Sequence, residues 1–230
     1  MAVSEIGIEW VDDYHSWWWP DLMYCQAEAE RFQNRLDGIP TFNWGDDYAW
    51  DQGFEQQGAG FWNPAGNDDL YADNVDIVFY SGHGSSIGPH FGLSSHDSGE
   101  VHYEELRLGD YDAEWAVFDA CYVLSEGGKY YNHCYDLFVG LHSIFGFHTE
   151  SHDSASRGEK FADYLNDGET VRDAWIMACQ DTEHSKTEWA YLRADSPGTS
   201  TYTEQWFSAG TVSDDPDPAT QTVYYLRGPC

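Results

Sequence analysis

Two residues in this sequence have the types and settings of a reactive pair. His83 stands between Gly82 and Gly84, three residues past the apolar run VDIVFY (75–80). Cys121 closes a second apolar run, WAVFDAC (115–121). A thiol becomes a strong nucleophile once its proton has somewhere to go. An imidazole can take that proton or hand one to a leaving group. The flanking glycines would let a substrate approach the backbone closely. Asp119 lies two positions before Cys121, so along an extended strand both side chains project from one face. Taken singly, each residue has an ordinary explanation. A cysteine after an apolar strand is commonly a small buried side chain, and a histidine among glycines can be a loop residue with a satisfied ring. Their order and common setting favour the pair.

The elements that must position them are legible as a pattern. Both apolar runs read as strands buried on both faces, and SIFGFH (143–148) reads as a third. An earlier strand is expected over 5–11. A helix follows, with Leu22, Cys25, Ala29, Phe32 and Leu36 in steps of three and four, until Gly38 and Pro40 stop it. Another helix covers 159–165. A third starts near Thr170, with Val171, Ala174, Trp175 and Ala178 on one face and Thr170 and Asp173 forming a capping box. Residues 43–74, rich in Gly, Asn, Asp and aromatics, predict a long ordered loop with room for a short strand or helix. Two β-like pieces, 188–193 and 222–226, flank a solvated loop at 214–218. This alternation predicts an α/β fold with a mostly parallel central sheet flanked by helices. No repeat or low-complexity linker divides it, so one domain over 1–230 is expected. In such sheets ligands bind outside the carboxyl ends of the strands, where His83 and Cys121 both fall.

The segments FYSGHG and VFDAC, in this order and each after an apolar strand, resemble the caspase–gingipain–legumain–clostripain clan of cysteine peptidases. The SIFGFHT strand and the GETVRDAWIMAC helix are similar to clan elements that follow the cysteine. The resemblance spans about 75–179 and is nearest to clan members other than caspases proper. It implies a caspase-hemoglobinase-like three-layer sandwich and a cysteine endopeptidase without a required cofactor. Within it, Cys121 is the nucleophile and His83 delivers a proton to the leaving amine. The backbone N–H groups of Gly84 and Cys121 form the oxyanion hole. Ser81 and Asp119 fall in the substrate-binding part, with Asp119 pairing with Arg or Lys at P1. An Asp-specific pocket would need an arginine, and none stands near either motif in the sequence. The alternatives are a catalytically silent module that keeps the fold and binds a peptide, and a metal-dependent hydrolase.

The metal alternative starts from His83, His90, His96 and His102, with Asp97 and Glu100 nearby. Their spacing matches no established ligand motif. Asp12-Asp13 and Asn67-Asp68-Asp69 could hold Ca²⁺ but lack the EF-hand pattern. His142, His148 and His152 are candidates for the cleft lining. Cys134, in NHC, is a second nucleophile candidate, though no apolar strand precedes it. Cys25 and Cys179 fall on helical stripes and read as core. The five cysteines are odd in number and form no C-x-x-C pair, which argues against a disulfide framework or a thiolate zinc site. Trp17-Trp18-Trp19 reads either as ordinary packing or as a platform for a substrate or partner.

Charge narrows the partners. The chain carries 41 acidic and 10 basic side chains, a net charge of −31, with lysine only at 129, 160 and 186. So few cations disfavour phosphate contacts and hence nucleic acid. No run is long and apolar enough to span a membrane. A peptide or protein substrate remains as the partner. The opening MAVSEIGIEW has neither a basic n-region nor an apolar h-region. The expectation is a cytoplasmic protein, or an exported one whose leader is absent from this chain. Acidity spread along the whole chain suits a salt-rich compartment; the rival explanation is an acidic patch that captures a basic partner. At molar salt the Debye length falls to about 3 Å, which screens the self-repulsion of the compact state. The thermal midpoint is therefore expected to rise between about 0.1 M and molar KCl, measured by circular dichroism. An unchanged or falling midpoint would contradict the salt-adapted surface.

Overall fold

The computed structural model describes residues 4–59, 66–92 and 99–230. Its centre is an eight-stranded sheet in the order β2-β1-β3-β4-β5-β6-β7, with β8 also paired to β6. The strands are β1 (Glu5–Trp10), β2 (Ile39–Gly45), β3 (Ile77–Ser81), β4 (Trp115–Asp119), β5 (Ser143–Phe147), β6 (Glu188–Ser196), β7 (Thr199–Ser200) and β8 (Thr222–Pro229). β1 to β5 run parallel, and β6, β7 and β8 pair antiparallel. The helices are α1 (Cys25–Arg35), the single turns α2 (Lys129–Asn132) and α3 (Cys134–Leu137), α4 (Arg157–Asn166) and α5 (Val171–Thr182). The result is the expected α/β sandwich of three layers with a mostly parallel sheet.

The strands alternate their side chains between two cores. Ile77, Phe79, Trp115, Val117, Phe145 and Phe147 point to one face, where Phe32 of α1, Phe161 of α4 and Trp175 of α5 cover them. Val78, Tyr80, Ala116, Phe118 and Ile144 point to the other. That second face is covered mostly by irregular chain, including Phe54 in a 3₁₀ turn and Tyr130 in α2. Burial on both faces is why β3, β4 and β5 read as near-continuous apolar runs.

The order of the parallel strands places a switch point between β1 and β3. The chain leaves β1 through α1 to the edge strand β2, then returns to start β3 on the other side of β1. Loops after β1 and β3 diverge there, which opens a crevice at the carboxyl rim of the sheet.

Two sequence expectations change. The segment that begins with Gly38 and Pro40 does more than end α1, because Pro40 lies inside β2. β2 is largely exposed and sits at the sheet edge, where a missing N–H is tolerated. It lacked an apolar run because only Phe42 of its seven residues is buried. The rest of 43–74 forms three 3₁₀ turns among its described residues. The terminal β pieces are also longer than 188–193 and 222–226, and they pair with each other along β6 and β8.

The few basic side chains are mostly engaged. Arg172 pairs with Asp173 at 2.7 Å, Arg227 with Glu126 at 3.2 Å and Lys160 with Asp181 at 3.3 Å; Arg35 pairs with Asp163 and Arg193 with Asp195. No helix among the described residues is long and apolar enough to cross a membrane. The cap expected for α5 forms: Thr170 Oγ1 accepts from the Asp173 N–H at 3.1 Å. Thr170→Ala is expected to cost about 1 kcal/mol of stability, read from urea unfolding in high salt, while Thr170→Ser keeps most of it.

Candidate active site

The crevice holds a cavity of about 530 Å³ built from the carboxyl ends of four strands. Trp18, Trp19, Pro20 and Leu22 enter from the loop after β1, and Cys25 and Glu28 from the first turns of α1. Ser81 ends β3 and Gly82 to Ser85 follow it, Asp119 ends β4 with Cys121 and Tyr122 after it, and Glu150 to Asp153 follow β5. His83 and Cys121 therefore line one cavity, together with Ser81, Gly84 and Asp119.

His83 is held by its neighbours. Its backbone N–H donates to the Tyr14 hydroxyl at 2.6 Å, and that hydroxyl donates to the His90 carbonyl at 3.0 Å. The ring packs against Tyr14 and Trp19, with centroids 4.7 and 5.1 Å away. Its Nε2 lies 2.8 Å from the Pro20 carbonyl. A carbonyl only accepts, so the proton is assigned to Nε2 and Nδ1 is left as the basic nitrogen. Burial lowers the ring's pKa, so the free imidazole is neutral at neutral pH.

Cys121 sits on a sharp turn. The next residue, Tyr122, has φ 62°, a left-handed conformation unusual for a side-chain-bearing residue. The Tyr122 N–H is anchored on the Thr149 carbonyl at 3.0 Å. The sulfur accepts the Ser151 N–H at 3.3 Å. Burial nevertheless raises the thiol pKa, with the Ser151 contacts opposing it. The resting pair is thus a neutral thiol and a neutral imidazole, and the sulfur hydrogen-bonds to Ser151 rather than to His83.

Gly84 touches the cysteine turn. A Cβ at this position would fall 2.8 Å from the Cys121 carbonyl oxygen and 2.8 Å from the Ala120 Cβ. Only glycine lets the two loops close on each other. Among the described residues, the backbone N–H groups of Gly84 and Cys121 donate to no protein group. Two free N–H groups on abutting loops beside a thiol have the make-up of an oxyanion site.

The floor of the cavity is acidic and unusual. Asp119 is 5 % exposed and Glu28 2 %. Asp119 does not offer a free charge, because Oδ1 is bonded to Arg157 Nη1. No arginine stands near the motifs in sequence, but α4 brings this one in from below. Arg157 is fully buried and also binds Glu183, the His152 carbonyl at 3.0 Å and the Thr182 hydroxyl at 3.2 Å. Asp119 Oδ2 and Glu28 Oε1 are buried with no hydrogen-bond donor on any neighbour. Ser81 Oγ donates to Glu28 Oε2 at 2.9 Å, so Ser81 serves the floor by fixing Glu28. Burial, then the Asp119 charge, push Glu28 well above the usual carboxylate range. Burial thus drives Glu28 toward its protonated form.

The remaining candidates separate. Of the three later histidines only His152 lines the cavity. His142 is buried immediately before β5 and pairs with Glu204 at 2.9 Å, and His148 accepts from the Glu126 N–H at 3.0 Å. Cys134 begins α3 away from the cavity, and Cys25 and Cys179 are buried. His96 and Asp97 lie outside the described residues. His90 and His102 both contact Glu100, at 2.8 and 3.7 Å, and among the described residues no group of three side chains is arranged to hold a metal ion. The carboxylates proposed for Ca²⁺ cap backbone instead: Asp12 accepts from the Cys25 N–H and Asp68 from the Asp69 N–H. Trp17 and Trp18 are 84 and 72 % exposed, and Trp18 and Trp19 form one wall of the cavity.

Glu28, Arg157, Glu183 and Ser151 escaped the sequence-based expectation. The first two carried a usable signal, since each occupies the apolar stripe of its helix: Glu28 between Cys25 and Phe32, and Arg157 one turn before Phe161.

The family model described as a domain of unknown function (DUF6345) matches residues 8–228. The comparison with curated proteins finds no match.

The raised Glu28 carboxyl has a stability consequence. The folded state keeps a proton on Glu28 that the unfolded chain releases above the ordinary carboxylate range. Stability is therefore lost as pH rises from there toward the raised folded value. Glu28→Gln removes this loss while keeping an acceptor for the Ser81 hydroxyl. It is expected to stabilise the protein at neutral pH, with a gain over wild type that grows as pH increases, measured by urea unfolding at several pH values.

Proposed function

The chain belongs to the DUF6345 family, and from the geometry of its crevice we propose that it is a cysteine endopeptidase acting through His83 and Cys121. One observation carries this proposal: a thiol, an imidazole and two unengaged N–H groups converge on one cavity at the carboxyl rim of the sheet. As the Cys121 sulfur attacks the scissile carbonyl carbon, its proton passes to His83 Nδ1. The carbonyl π electrons move onto oxygen, which the N–H groups of Gly84 and Cys121 stabilise. Collapse breaks the C–N bond, and the imidazolium gives its proton to the departing amine. Water then hydrolyses the thioester, with the imidazole acting again as base. Because both groups are neutral at rest, proton transfer accompanies attack and no preformed ion pair is needed.

We assign the P1 side chain to the floor of the cavity, and its class to Arg or Lys. Glu28, Asp119, Glu150 and Asp153 line the cavity, and no Lys or Arg does. Arg157 lies beneath and offsets only part of this charge. A cationic side chain placed there would meet the two oxygens that lack a donor, one on Glu28 and one on Asp119.

A second reading, a peptide-binding module without turnover, draws on the Cys121 sulfur being hydrogen-bonded to Ser151 and not to His83.

The test is hydrolysis of fluorogenic peptides with Arg or Lys at P1 in molar KCl. Cys121→Ala should abolish turnover, and His83→Ala should lower kcat by about 10²–10⁴-fold. Asp119→Asn should erode the preference for basic over neutral P1 residues. Equal hydrolysis by wild type and Cys121→Ala would end the proposal. Saturable binding of the same peptides without cleavage or thiol labelling would establish the binding module instead.

A further inference from the structure

A second cavity, of about 260 Å³, shares no lining residue with the first. It lies near the carboxyl ends of β1 and β2, on the sheet face opposite α1. Its walls are the aromatic side chains of Trp44, Tyr48, Trp50 and Tyr71, and Glu9 and Asn67 supply its polar groups. Trp44 and Tyr71 stand almost perpendicular, at 83° with centroids 6.2 Å apart, so they form two adjacent sides of a box. Tyr48, 69 % exposed, stands at the mouth.

Glu9 is the feature that needs an explanation. It is 2 % exposed in the penultimate position of β1. Its Oε2 accepts the Trp50 N–H at 3.1 Å, while Oε1 takes no hydrogen bond from any described residue. The carboxyl rests against Gly53, where a Cβ would fall 2.6 Å from Oε1. Among the described residues no Lys, Arg or His lines the cavity to balance it. Asn67 adds a buried Oδ1 that also lacks a partner.

We propose that this box binds a small alkylated ammonium ion, its charge over Glu9 and its alkyl groups against the rings. Each other class of ligand meets an obstacle. An inorganic cation needs several oxygen ligands, and aromatic faces supply none. A guanidinium prefers both oxygens of a carboxylate, and Glu9 Oε2 is already engaged. A primary ammonium brings three N–H donors that want three acceptors, and the box offers two free oxygens. A nitrogen whose charge is spread over methyl groups asks for no directed bonds and is held by ring faces. Burial raises the Glu9 carboxyl well above the usual carboxylate range, and a cation seated beside it favours its ionised form, which a neutral apolar guest does not. The net charge of −31 raises the local concentration of any such cation.

The experiment titrates the full chain with tetramethylammonium chloride at constant ionic strength in KCl, followed by ligand-observed NMR. Neopentyl alcohol serves as the uncharged control of similar shape. Saturable binding with a Kd on the order of 1 mM is expected, at least about tenfold tighter than for the alcohol. Glu9→Gln should weaken it by about tenfold or more, and Trp44→Leu, an exposed edge-strand change that leaves Glu9 intact, by about threefold to tenfold. Thermal midpoints close to wild type establish that the variants are folded. Equal affinity for the alcohol, unchanged affinity in folded Glu9→Gln and Trp44→Leu, or no saturation by about 100 mM would each overturn the proposal. None of these readouts depends on peptidase activity.

Discussion

The crevice depends on one buried cation. Arg157 is the single positive charge among Asp119, Glu183 and Glu28, and it ties the end of β4 to α4, to the exit of α5 and to the loop after β5. A guanidinium suits the place because it cannot be deprotonated and presents donors in several directions at once. Carboxylates gathered so tightly without it would repel one another and unfold the rim. Even so, one charge does not neutralise three. Burial offsets part of the remainder by pushing Glu28 toward its protonated form.

The two side chains proposed as the reactive pair follow a different logic. Burial drives both toward their neutral forms, and the structure does not counter this with a charge beside the sulfur. It invests instead in placement: a left-handed Tyr122, a glycine pressed against the cysteine turn, and a histidine clamped by Tyr14, Trp19 and Pro20. Backbone strain of this kind persists only where the surroundings over-determine it. Here the anchors are the neighbouring carbonyls of Thr149 and His90.

Sequence alone revealed what depends on local pattern. β3, β4 and β5 were legible because burial on both faces leaves long apolar runs, and α5 because Thr170 and Asp173 cap it. The placement of His83 and Cys121 on one cavity followed from the rule for parallel strand ends. β2 escaped because an edge strand with one buried residue has no apolar run to show. Arg157 and Glu28 escaped for another reason. In a chain with so many acidic residues, one more carboxylate on a helix attracts no notice, and what distinguishes Glu28 is only its place on the stripe that Cys25 and Phe32 define. The partner of Asp119 was out of reach because it arrives from a distant helix, a contact that spacing along the chain does not encode.

The scarcity and engagement of basic side chains carry one more implication. An endopeptidase that cuts beside Arg or Lys endangers every copy of itself in a concentrated solution. In this chain the arginine nearest the crevice is sealed inside the fold, and Lys160, Arg172 and Arg227 are held in pairs with carboxylates on ordered helices and strands. Cleavage requires an extended segment that can enter the crevice, and few of these positions could present one without first unfolding. Under the proposed activity, the same scarcity of exposed basic residues would protect the protein from self-digestion.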